Sequence, residues 1–87
     1  MITMRPMILA DTVQDMTSTD YKERFRAEYN QLNIRLGALE NMLQRHAEGT
    51  LDFVPTCPIY LLEGQLAHMN AYLYLLKERA KIENIEL

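Results

Sequence analysis

The sequence predicts an all-α fold, an antiparallel two-helix hairpin that assembles into an oligomeric helical bundle. Two series of mainly apolar residues alternate spacings of three and four, which keeps each series on one side of an α-helix. A proline-containing segment separates the two series, and a single helix cannot cross it. The first series is Phe25, Tyr29, Leu32, Leu36, Leu39, Leu43 and His46, and the second is Ile59, Leu62, Leu66, Met69, Leu73, Leu76 and Ala80.

The first helix is predicted over residues 20–47, because residues that start and stop helices bracket the first series. Asp20 is a good N-cap residue, and Glu23 three positions later approximates a capping box. Gly49 readily adopts the left-handed conformation that commonly ends a helix. The whole hairpin is expected to span residues 18–87.

Residues 48–57 are predicted to form the loop, and residues 58–84 the second helix. Pro55 stops the first helix from continuing, whereas Pro58 suits a first helical turn, where its missing N–H is not needed. Leu51 and Phe53 alternate with polar neighbours. We expect both side chains to fold over the end of the hairpin next to the loop.

The second helix has more apolar surface than the first helix can cover, so the hairpin is expected to be a homo-oligomer. A helix that is apolar over most of its circumference must be buried on more than one side. A dimeric four-helix bundle is the simplest arrangement, although higher oligomers satisfy the same pattern. The additional residues are Leu61, Ala67, Ala71, Tyr72, Tyr74, Leu75 and Ile82.

Residues 1–17 are predicted to be an N-terminal arm that has no regular hydrophobic period. Its apolar residues could dock on a neighbouring subunit, and Met16 could serve as an alternative initiator just before the capped hairpin. The apolar residues concerned are Met4, Met7, Ile8, Leu9 and Val13.

Composition narrows the classes of partner. The chain has 87 residues and a net charge of −3, so it has no general electrostatic attraction to DNA, RNA or an anionic membrane. No run approaches the roughly 20 apolar residues of a membrane span, and the four-residue apolar run near the start is too short for a signal peptide. A cytoplasmic protein is expected.

Sequence signatures of enzymes are mostly missing, and we expect no catalytic activity, metal or cofactor. The chain has one cysteine, Cys57, and His46 is the histidine that could activate it as a nucleophile. A small residue packed at a turn explains Cys57 more simply. His68 lies beside the helix seam and is interpreted as a hydrogen-bonded interface residue.

Basic and aromatic residues converge where the first helix starts and the second helix ends. Arginines can hold phosphate in a bidentate manner, and tyrosines can stack on a nucleobase. The competing interpretation is a set of solvated ion pairs, because Asp20, Glu23, Glu28, Glu78, Glu83 and Glu86 share this end. The converging residues are Lys22, Arg24, Arg26, Lys77, Arg79 and Lys81, with Tyr21, Phe25, Tyr29, Tyr72 and Tyr74.

About residues 19–87 resemble a group of small proteins from phages and prophages that take their label from a crAss-like gut phage. The hairpin plan is also similar to phage sponge proteins that counter CBASS and Thoeris immunity by trapping cyclic nucleotides or cyclic ADP-ribose messengers. The residues that carry the first resemblance are Asp20–Arg24, Glu28, Tyr29, Arg35, Pro58, Leu61, Leu62, Gln65, Met69, Tyr72 and Arg79.

These resemblances imply a phage-encoded anti-defence protein in the cytoplasm of the bacterial host, which sequesters a nucleotide-derived immune signal without cleaving it. Arg24, Arg35 or Arg79 would hold phosphates. Tyr21 or Tyr72 would stack on a base, and Gln65 would contact a polar edge of the base or ribose. The first alternative is a protein–protein interaction module that blocks a host protein through Ile34, Tyr74 and Ile82. The second is a structural phage component.

Overall fold

The computed structural model describes residues 5–87, and every regular element within this range is helical. A short 3₁₀ helix, Leu9–Thr12, runs directly into α1, Val13–Met16. Two long helices follow, α2 over Tyr21–Glu48 and α3 over Ile59–Glu83. The predicted all-α class is therefore confirmed for the described part of the chain.

Both ends of α2 are formed by the residues that the sequence predicts. The Asp20 side chain accepts a hydrogen bond of 3.0 Å from the Lys22 backbone N–H, which satisfies one free donor of the first turn. Gly49 has a φ of 75° and donates to the carbonyls of Arg45 and His46. An L-residue at this φ is strained, so glycine allows the chain to leave α2 at this point.

The start of α2 lies against the end of α3. A buried cluster at this contact contains Phe25, Leu76, Ala80 and Ile85, with Tyr29 and Leu32 packed against it. Both predicted apolar series are buried or half-buried along their whole length, with one exception. The placement of His46 in the seam was wrong, because its side chain is exposed in the last turn of α2.

Burial decreases toward the loop. Leu43, Leu62 and Leu66 are half-buried, whereas Leu76 is 1% exposed. Leu51 is half-buried, but the expectation that Phe53 covers this end was wrong, because 53% of that residue is exposed. The loop bends around the end of the helices without burying its own aromatic ring.

The N-terminal arm lies on α2 of the same chain. Thr12 is buried, donates to the Leu9 carbonyl at 2.7 Å and accepts from Gln31 Nε2 at 2.9 Å. Ala27, one turn before Gln31, is also buried. Met7, Ile8 and Val13 remain exposed, so most of the arm's apolar residues are not used in this contact. Met4 lies outside the described residues.

Candidate ligand-binding site

We call the region formed by the first turns of α2, the last turns of α3 and residues 84–87 the open end. Asn84 adopts a left-handed conformation with a φ of 55°, and the Ile85 N–H bonds the Ala80 carbonyl at 2.9 Å. Two cations of α2 then hold the last residues in place. Lys22 Nζ donates to the Asn84 carbonyl at 3.2 Å, and Arg26 Nε donates to the Glu86 carbonyl at 2.8 Å.

A three-residue network joins the two helices at the open end. The Tyr21 hydroxyl donates to Glu83 Oε1 at 2.6 Å, and Arg79 donates to the Tyr21 hydroxyl at 3.1 Å and to Glu83 Oε2 at 3.3 Å. The Arg79 guanidinium also lies over the Phe25 ring, with its carbon 4.9 Å from the ring centroid. This distance is within the range of a cation–π interaction. The guanidinium is thus held in one position by an aromatic face and two oxygens.

The network shifts the acidity of its own members. The hydrogen bond to Glu83 raises the pKa of Tyr21, since the bond needs the phenol proton. The same bond, together with Arg79, lowers the pKa of Glu83, because both partners favour the carboxylate. All three groups stay accessible to solvent, and the network is therefore open to a ligand from outside.

Two more predicted site residues are engaged nearby, each with a different partner. Tyr72 of α3 donates its hydroxyl to the Glu28 carboxylate of α2, which adds a second polar contact between the helices. Arg24 donates to the Ser18 carbonyl at 2.9 Å and so ties the start of α2 to the segment before it. Neither residue belongs to the Tyr21–Arg79–Glu83 network.

Arg35 and Gln65 lie away from the open end. Gln65 precedes Arg79 by 14 residues on one helix, about 21 Å along the axis, and its amide lies 3.9 Å from Met69 Sδ. Arg35 is exposed near the middle of α2. Within one chain, therefore, Tyr21 and Arg79 are directly joined, Arg24 and Tyr72 lie close to the open end, and Arg35 and Gln65 do not join them.

A groove of about 520 Å³ lies on the other side of α3 at the open end, which we call the tail groove. Lys77 lines it, and Lys77 is about 200° around the helix from Arg79, two residues away. Sequence reasoning placed Tyr74 and Lys77 at this end but missed Ile85 and Leu87. Asn84 followed by an apolar residue was the available signal, since asparagine can form a left-handed cap backed by a hydrophobic contact. The lining is Tyr29, Tyr74, Lys77, Glu78, Ala80, Lys81, Ile85 and Leu87.

A second groove lies at the loop end. This groove of about 260 Å³ is lined by His46 together with loop residues, and Cys57 is not part of this lining. Within residues 5–87, no cluster of three or more histidine, cysteine, aspartate or glutamate side chains is arranged to hold a metal ion. No helix in that range is both long and apolar enough to span a membrane.

The fold and the site together define a small protein that is helical in every regular element of residues 5–87 and whose candidate site combines cations with aromatic rings. A family model described as Sequestin matches residues 19–82, well over half of the chain. The chain therefore belongs to the Sequestin family. No match was found among curated proteins or among solved structures. The matched residues include all of α2 and nearly all of α3, but not the arm.

Proposed function

We propose that this protein sequesters a nucleotide-derived signalling molecule, of the cyclic nucleotide or cyclic ADP-ribose type, without cleaving it. The family name points to sequestration, which supports a binding protein over an enzyme. The proposed setting is the cytoplasm of a bacterial host, where a phage-encoded protein would remove the messenger of a defence system such as CBASS or Thoeris.

The observation that carries this proposal is the Arg79 guanidinium, held between the Phe25 ring and the Tyr21 hydroxyl. A fixed guanidinium is suited to a phosphate, because its N–H groups match two phosphate oxygens. Tyr21 is 46% exposed, which leaves part of its ring available to a base. Arg24 and Tyr72 are proposed to contribute from the same region.

Arg35 and Gln65 fit this proposal only if a second chain contributes to the pocket. We therefore propose that hairpins formed by α2 and α3 assemble as a homo-oligomer, a dimer or larger, with Arg35 and Gln65 facing ligand between subunits. The exposed part of α3 supports this arrangement, since Leu75 and Ile82 leave 58% and 81% of their surface uncovered. Such exposed apolar residues on a small chain commonly mark an interaction surface.

The test is incubation with a panel of cyclic dinucleotides, cyclic trinucleotides and cyclic ADP-ribose isomers, followed by isolation of the protein. We expect one class to remain bound and to be released intact when the protein is denatured. A sponge must remain occupied at low messenger concentration, so the dissociation constant should be nanomolar, about −12 kcal/mol. Release of a cleaved product would instead show an enzyme.

The second candidate is a protein–protein interaction module that blocks a host protein. Exposed residues of the same helix, Tyr74 and Ile82, favour it, because an apolar helix face can dock into a partner groove. A stable oligomer that buries this face would leave it unavailable to a host partner. Sedimentation at micromolar concentration therefore separates the two candidates, and a folded monomer of about 10 kDa would favour the second.

A further inference from the structure

The tail groove differs chemically from the Tyr21–Arg79–Glu83 network. In the network, each polar group already has a partner inside the protein. In the groove, Lys77 Nζ has no carboxylate partner and the Tyr74 hydroxyl has no hydrogen bond among residues 5–87. The groove therefore has polar groups that are free to bind a ligand. The polar groups of the network would have to share their existing hydrogen bonds with a ligand.

The groove also has fixed walls. Ile85 is buried, and its backbone N–H is bonded to Ala80 in the groove floor. Arg26 holds the neighbouring Glu86 carbonyl at 2.8 Å, which keeps the last residues against α2. A volume of about 520 Å³ is in the range of small-molecule sites, which combine an apolar lining with a few polar groups.

The lining specifies the chemistry of an occupant. Tyr74 is 61% exposed, whereas Tyr29 packs against the core, so Tyr74 is the aromatic side chain available beside the apolar Ile85, and a planar ring fits this lining. Lys77 and Lys81 lie one turn apart on one face of α3, and Lys81 is paired with Glu78 at 3.2 Å. One unpaired ammonium thus remains for one anionic group. Lys81 contacts Oε1 of Glu78, so the other carboxylate oxygen can accept a hydrogen bond from an amino group on the ring.

From these features we propose that the tail groove is a separate binding site for a nucleotide with an amino-bearing base. The base packs against Tyr74 and the apolar floor of the groove, and one phosphate pairs with Lys77. The identification of the aromatic anion as a nucleotide rests on the proposed sequestering function. The groove itself lies outside the six site residues predicted from the sequence, and it requires no second subunit.

The test is titration of the full chain with adenosine 5′-monophosphate and, separately, with cyclic di-AMP. Isothermal calorimetry measures the affinity, and ¹H–¹⁵N NMR shifts show which backbone amides respond. We expect adenosine monophosphate to shift the amides of Tyr74, Lys77 and Ile85. Lys77→Ala and Tyr74→Ala should each weaken its binding roughly tenfold, the usual effect of losing one charged contact or one stacked ring. Inosine monophosphate, which lacks the amino group, should bind several-fold more weakly.

Matched controls come from the loop end of the molecule. Arg45→Ala removes a cation and Tyr60→Ala an exposed aromatic ring, both far from the groove, and neither should change the affinity. Circular dichroism and sedimentation of every variant check that the fold and the assembly are retained. If Lys77→Ala or Tyr74→Ala alters either, Lys77→Gln and Tyr74→Leu replace them.

The outcomes separate this inference from the proposed function. One outcome is that cyclic di-AMP binds regardless of the Lys77 and Tyr74 substitutions, while adenosine monophosphate does not bind at millimolar concentration. That result would contradict the groove as a nucleotide site and would still be consistent with sequestration. A second outcome is that adenosine monophosphate binds in the groove but no cyclic messenger from the panel is retained. That result would support the groove as a nucleotide site and contradict the proposed sequestration. Failure of every nucleotide to bind overturns both.

Discussion

At the open end, Phe25, Leu76 and Ala80 are buried, whereas near the loop Leu43, Leu62 and Leu66 stay half-buried. The same alternation of three and four residues produces both regions, so periodicity does not explain the difference. The open end has an additional layer, because the turn after α3 places Ile85 against the two helices. The loop supplies no such cover, and Phe53 and Val54 are exposed there. A single chain thus completes its core at one end only.

The largest effect should come from truncating the open-end core. Leu76→Ala should lower the free energy of unfolding by about 2–5 kcal/mol, the usual cost of a cavity at a fully buried leucine. Leu66→Ala is the matched variant near the loop and should cost about half as much, since Leu66 is half-buried. Urea unfolding monitored by circular dichroism measures both values.

That pair of variants also tests whether another chain covers the loop end. If the cost of Leu66→Ala equals that of Leu76→Ala and grows with protein concentration, a neighbouring subunit buries Leu66. Equal costs that do not depend on concentration would contradict our account of the difference between the two ends.

A second comparison measures how ligand affinity changes when one arginine is removed from each end of the molecule. Arg79→Ala should weaken the binding of the messenger found in the panel by roughly tenfold or more, since a charged phosphate contact is lost. Arg45→Ala, near the loop, should leave the affinity unchanged. Calorimetry gives the dissociation constants, and sedimentation confirms that both variants keep their assembly. Equal affinities for the two variants would assign the Arg79 network a purely structural role.

A third comparison uses two glycines of the α2 region. Gly49→Ala should destabilise the chain by about 1 kcal/mol, because its φ of 75° strains a residue with a side chain. Gly37→Ala should stabilise it by up to about 1 kcal/mol, since Gly37 lies inside α2 and an added Cβ meets nothing within 4 Å. Thermal melting should show the two variants shifting the melting temperature in opposite directions. A stabilising Gly49→Ala would show that the left-handed turn does not persist in solution.

The smallest effect concerns pH. Glu83 has a lowered pKa through Tyr21 and Arg79, so its contribution to stability is present above the ordinary carboxylate range and is lost as pH falls through the lowered value. Tyr21→Phe removes the main cause. The melting temperatures of the wild type and Tyr21→Phe should therefore differ slightly at pH 7, and the difference should shrink as pH falls below the ordinary carboxylate range of about 4. A difference that stays constant down to pH 3 would contradict this coupling.

Sequence reasoning predicts the helices well because their signals are local. Asp20 and Gly49 act on their own helix ends, and the two apolar series follow from the helical repeat. His46 was misplaced because the spacing continues into the last turn, where no facing residue remains to cover the ring. Phe53 was misplaced for a related reason, since hydrophobicity does not specify what a loop side chain can reach.

The site is less predictable because its geometry depends on contacts between distant residues. Convergence at the open end follows from antiparallel helices, but the pairing of Tyr21 with Glu83 joins residues far apart in sequence and depends on side-chain orientation. The tail groove depends on a single left-handed residue, Asn84, which redirects the chain after α3. Arg35 and Gln65 can join a site only through a second chain, which one sequence does not describe.

The fixed position of Arg79 has an entropic consequence. An arginine free in solvent gives up about 2 kcal/mol of rotamer freedom when it is immobilised, and here most of that loss has already occurred on folding. A phosphate that meets this guanidinium finds it already positioned, so less side-chain ordering remains to be done on binding. Under the proposed sequestering function this property matters, because the protein would have to bind a messenger before the receptor does.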